Sequence, residues 1–139
     1  MYGTQRALSA YKTIGVETGV ESADPHQLVL MLFDGSMIAI SDARRHLAEG
    51  RIPERGASIS KSIAIIEDGL KASLDRDSGG ELADRLASLY DYMRNQLLKA
   101  NLSSSDSLLV EVHQLLGELR DAWALVDKTA SRAPLQGAA

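Results

Sequence analysis

Apolar residues return at three- or four-residue steps along four successive stretches of this chain, and no β-branched run alternates with polar residues. Steps of that size line one face of an α-helix, whereas a half-buried strand needs a period of two. The first stretch opens at "SADPHQL". Asp24 suits the N-cap, Pro25 the first helical position, and Gln27 completes a capping-box pattern. It runs to about Glu49, where Gly50 supplies a left-handed stop. The second follows Pro53 and runs to about Leu74, with Ile59, Ile63, Ile66, Leu70 and Leu74 as its stripe. "DRDSGG" then breaks the chain, with Gly79-Gly80 read as a turn. The third begins near Glu81 and carries Leu82, Leu86, Leu89, Met93 and Leu97. After the loop "NLSSSD", the fourth carries Leu108, Val112, Leu115, Leu116, Leu119, Trp123 and Val126.

Long helices joined by short loops pack as antiparallel neighbours. The expected fold is all-α: an antiparallel up-down four-helix bundle over residues 24–128. Residues 1–23 are expected to form an N-terminal cap segment, with a short helix around Arg6 to Thr13. Residues 129–139 read as a flexible tail.

The first helix carries more apolar surface than one stripe needs. Leu28, Met31, Leu32, Ala39 and Ala43 make one stripe; Val29, Phe33, Met37 and Ile40 make a second, turned from it by roughly 100–150°. Leu30 and Ile38 widen the girdle. Two explanations stand open. Helix one lies deep in the bundle, or its second stripe lines a groove that something must cover. The N-terminal segment joins directly at Asp24 and offers Leu8, Tyr11, Ile14 and Val16 as that cover. On helix three, Tyr90 and Tyr92 are turned apart by roughly 200° and cannot share a face. Tyr90 is expected at the core edge with its hydroxyl reaching out. Tyr92 is expected to be more exposed, against a neighbouring helix or a partner. Trp123 is expected in the core.

Composition excludes several functions. The 139 residues hold no cysteine, so there is neither a disulfide nor a thiolate metal site. A net charge of −4 argues against a nucleic-acid surface. No apolar run is long enough to span a bilayer. No glutamate has a histidine three residues on, as a di-iron bundle needs, and His26, His46 and His113 lack metal-ligand spacing. No glycine-rich phosphate loop is present. The chain therefore reads as a non-enzymatic protein without cofactors. A histidine phosphotransfer bundle using His46 is the alternative, although Glu49 would repel a phosphoryl group there. A third reading is a structural bundle that pairs as a homodimer through its N-terminal segment.

Three stretches in order resemble the flagellin-specific export chaperones, the FliS family. "VESADPHQLVLMLFDGSM" is similar to that family's Ala-Ser-Pro turn followed by Leu-Val/Ile-x-Met-Leu-Tyr-Asp-Gly. "LDRDSGGELADRLASLYDYMRNQLLKAN" is similar to its Leu-Asp, Gly-Gly, Leu-Tyr-Asp-Tyr-Met and Ala-Asn pattern, and "LLGELRDAW" to its Leu-Arg-x-x-Trp. The resemblance spans about residues 8 to 125, with Phe33 in place of tyrosine and "SADP" in place of "TASP". It implies a cytoplasmic four-helix bundle without enzymatic activity. Such a protein binds the C-terminal segment of flagellin, prevents premature polymerisation and delivers it to the flagellar type III export gate. It also implies an N-terminal segment over a hydrophobic groove. The groove residues expected here are Val29, Phe33, Met37, Ile40 and Tyr92, with neither membrane insertion nor nucleic acid involved.

Overall fold

The Asp24 side chain accepts a hydrogen bond from the Gln27 amide at 2.8 Å, and helix α1 (Pro25–Ala48) starts there. Gly50, at φ +72°, carries the chain out of it. Helix α2 (Ile52–Ala64) follows and passes without a break into a π-helical segment, Ile65–Lys71. Helix α3 (Arg76–Ser103) is kinked at Gly80, whose φ of 56° and ψ of −138° are open to glycine alone. Its straight body therefore begins at Glu81. Ser104 ends α3 in the left-handed conformation, and Ser105 caps α4 (Asp106–Leu125) by accepting from the Leu108 amide. The structure, a computed structural model, describes residues 24–126. The expected cap segment, with Leu8, Tyr11, Ile14 and Val16, and the expected tail lie outside the described residues.

The four helices form an antiparallel up-down bundle. Cross-helix bonds fix the order of neighbours. Along α1 and α4, His26 meets Trp123, Asp34 meets Arg120, and Arg44 meets Asp106. Along α3, Asn101 meets Arg55 of α2, and Arg94 meets Glu67 of the π-helical segment that continues it. Between α3 and α4, Tyr92 and Gln96 both reach Glu111. Each helix thus has two neighbours, and this explains the wide apolar girdle of α1. One stripe cannot face both α2 and α4. Val29 and Ile40 are fully buried, as are Leu28 and Leu32. Ser36 and Ser62 are buried where α1 meets α2. Ser62 donates to the Ser36 carbonyl, and Ser36 to the Phe33 carbonyl, so both hydroxyls are satisfied.

The π-helical segment departs from the expected continuous α-helix. A wider i→i+5 turn keeps Ile65, Ile66, Gly69 and Leu70 inside. It also lets Glu67 and Lys71 reach α3, where they pair with Arg94 at 3.0 Å and Asp91 at 2.7 Å. Gly69 lies directly under Leu32, and a Cβ there would come within 2.8 Å of Leu32 Cδ2. Leu32 is itself packed on all sides. Gly69→Ala is therefore expected to lower stability by about 1–3 kcal/mol in denaturant melts. Gly117→Ala is the control, because a Cβ there meets only the mobile end of Met37 at 3.3 Å. That substitution is expected to be near neutral, since helix propensity favours alanine by about 1 kcal/mol.

Candidate functional site

Toward the end of the bundle where Asp24 and Val126 lie, α3 and α4 leave an apolar cleft of about 230 Å³ between them. Leu82, Leu86 and Tyr90 line it from α3, and Leu119, Ala122, Trp123 and Val126 from the α4 side. Phe33 of α1 closes its floor. Small-molecule sites usually enclose about 300–1,000 Å³ and carry a few convergent polar groups. This cleft is smaller, and aliphatic and aromatic side chains line it throughout. Its shape and chemistry suit the apolar side chains of an amphipathic segment. Leu82 stands at the rim, 55% exposed. Asp34 and Arg120, 2.6 Å apart, tie α1 to α4 one position along the chain from Phe33 and Leu119.

The expected groove residues separate. Phe33 reaches the cleft, although it is only 2% exposed. Val29 and Ile40 lie in the core and line no cleft described here, because α1 needs those positions against its two neighbours. Met37 packs over Gly117 of α4. Tyr92 is 42% exposed and donates to Glu111 Oε2 at 2.7 Å, so it bridges α3 to α4. Tyr90 is fully buried rather than at the core edge, and Trp123 is half-buried in the cleft wall rather than in the core. Leu82, Leu86 and Leu119 were legible only as stripe residues. Periodicity shows which face of a helix is apolar, not which part of that face the neighbouring helix leaves uncovered.

Three titrating groups beside these helices are held below their ordinary range. The Gln96 amide and then the Tyr92 hydroxyl hold the Glu111 carboxyl below the usual carboxylate range, with burial opposing them. Arg44 holds Asp106 low in the same way, first by a hydrogen bond. Burial, followed by the nearby Arg44 charge, holds His113 below 6.5. A lowered carboxylate stabilises the fold above its unfolded pKa, and that contribution fades as pH falls through the folded value. A lowered histidine acts at higher pH, because the unfolded chain takes up the proton first once pH drops below about 6.5. The melting temperature is expected to fall from pH 7 to pH 5.5. His113→Gln is expected to remove this upper part of the loss in thermal melts and leave the carboxylate part below about pH 4.5.

His46 is half-buried, with its Nδ1 enclosed and without a hydrogen-bond partner. Among the described residues, no three His, Cys, Asp or Glu side chains are grouped to hold a metal ion. Among the same residues, no helix is long and apolar enough to cross a membrane.

Comparison with known proteins places this architecture. The family described as flagellar protein FliS matches residues 7–130. The chain is 44% identical over 128 residues to the flagellar secretion chaperone FliS of Salmonella typhimurium, covering 92% of this chain and 95% of that protein. It is 46% identical over 121 residues to the flagellar secretion chaperone FliS of Escherichia coli K12, covering 87% and 86%. It is 41% identical over 118 residues to the flagellar secretion chaperone FliSB of Pseudomonas aeruginosa, covering 85% and 93%. With the match running the length of the bundle, the chain belongs to the FliS family of flagellar proteins.

Proposed function

We propose that this protein is a flagellar export chaperone. It binds the C-terminal segment of flagellin in the cytoplasm, prevents its premature polymerisation and delivers it to the flagellar type III export gate. The observation that carries this reading is the apolar cleft between α3 and α4, floored by Phe33, in a chain whose relatives are named flagellar secretion chaperones. A segment that assembles into filaments through apolar faces is kept from doing so when those faces lie in a groove. Ordering such a segment opposes binding, so a large wrapped surface is needed for useful affinity. Tyr92, exposed on the same pair of helices, extends the surface beyond the cleft.

The role is one of binding and release, without catalysis or cofactor. Residues 1–23 join at Asp24, at the end of the bundle where the cleft opens. In this proposal Leu8, Tyr11, Ile14 and Val16 cover apolar surface until the client displaces them. The test is a flagellin polymerisation assay followed by light scattering. Polymerisation is expected to stop as the chaperone approaches equimolar amounts. Unchanged polymerisation in a several-fold excess of folded protein would contradict the proposal.

A further inference from the structure

His26 and Trp123 hold each other by two hydrogen bonds that run in opposite directions. The Trp123 indole Nε1 donates to the His26 carbonyl at 2.9 Å. His26 Nε2 lies 2.9 Å from the Trp123 carbonyl, and because a carbonyl can only accept, Nε2 carries the proton. The two rings also stack, with centroids 5.2 Å apart and planes inclined by 23°. Helix ends explain the pairing. The Trp123 carbonyl lies in the last turn of α4, where the Val126 amide donates to it at 3.0 Å, and His26 supplies a second donor from α1. His26 lies in the first turn of α1 and is buried. The clasp thus closes α1 on α4 at the end of the bundle, and its tryptophan is also a wall of the apolar cleft.

We propose that His26 is a positioning residue for the cleft. It fixes the orientation of Trp123, and through it the shape of the wall against which a bound segment packs. The proposal rests on the cleft being the client site. A large aromatic side chain held in place before the partner arrives loses little further freedom on binding, and this raises affinity without adding a contact. Replacing the His26 side chain leaves the indole's bond to the His26 carbonyl but takes away the tie to the Trp123 carbonyl and alters the ring stacked on the indole, so the wall is held less firmly.

Trp123 is the sole tryptophan of the chain, so its fluorescence reports on this wall alone. His26→Phe keeps a ring against the indole and removes the donor. His26→Asn is the second variant, short and polar, suited to a first helical turn and unable to reach the Trp123 carbonyl. Each is examined in the full chain by circular-dichroism melting, acrylamide quenching of Trp123, and titration with a flagellin C-terminal fragment. In whichever variant melts cooperatively, quenching is expected to rise and fragment affinity to weaken about two- to tenfold, the cost of ordering one loosened side chain on binding. Parental quenching and parental affinity in a folded variant overturn the proposal. If the unaltered protein binds no fragment, the client assignment fails separately, and quenching alone then decides whether His26 positions Trp123. A rise sustains that role and an unchanged value ends it.

Discussion

Leu82→Asp is expected to weaken binding of a flagellin C-terminal fragment by about ten- to a hundredfold and to leave the melting temperature within about 3 °C of the parent protein. Leu82 is the exposed edge of the cleft, and more than half of its surface faces solvent. The unbound fold therefore loses little when it is replaced. Aspartate near the start of the straight part of α3 also complements the helix dipole. A client that lays an apolar side chain on the rim meets a carboxylate in its place, and fully burying a leucine is worth about 1.5–3 kcal/mol. Phe33→Asp cannot serve for this comparison. Phe33 is the cleft floor and almost wholly enclosed, so a carboxylate there has no solvent and the variant is expected to unfold. Titration and thermal melting of Leu82→Asp together check the prediction, and an equal loss of both would place Leu82 in the structural core.

Arg55→Ala is expected to destabilise the fold by about 3 kcal/mol, or about 10 °C in a thermal melt. The Arg55 side chain is buried in the first turns of α2 and gathers the C-terminal end of α3. Its Nε donates to Asn101 Oδ1 at 3.1 Å, one terminal nitrogen to the Asn101 carbonyl at 3.1 Å, and the other to Ser104 Oγ at 3.0 Å. The Asn101 carbonyl is one of the last in α3 and has no amide ahead of it, so the guanidinium does the work of a cap. Removing it leaves three acceptors without their donor in a partly buried place. Arg55→Lys keeps the charge but offers a single point of donation. It is expected to recover less than half of the loss.

The helices were legible in the sequence because their signals are local. Asp24 and the glycine at position 50 act within one turn of the chain, and the structure uses both as read: Asp24 accepts from the Gln27 amide, and Gly50 takes a left-handed φ. The π-helical turn was not legible. It sets Gly69 under Leu32, a residue far away in sequence, and the isoleucine and leucine spacing around it fits an ordinary helix as well. The second stripe of α1 was visible, but its meaning was not. Val29 and Ile40 could be groove or core, and only the presence of neighbours on two sides makes them core. The cleft was hidden for the same reason. Leu82, Leu119 and Trp123 follow the same period as the buried residues beside them, and the gap between α3 and α4 that opens them belongs to tertiary packing. His26 and Arg55 carry no local pattern at all, since each completes a helix end contributed by a distant part of the chain.

The central claim, that the cleft between α3 and α4 receives the C-terminal segment of flagellin, is tested most directly by calorimetric titration. A purified flagellin C-terminal fragment is titrated into the full-length protein and into Leu82→Asp at two temperatures. The account predicts near-equimolar binding to the parent protein, a negative heat-capacity change from apolar burial, and markedly weaker binding to the folded variant. A folded parent protein that binds no fragment at either temperature, or a Leu82→Asp protein that binds as tightly as its parent, would contradict it.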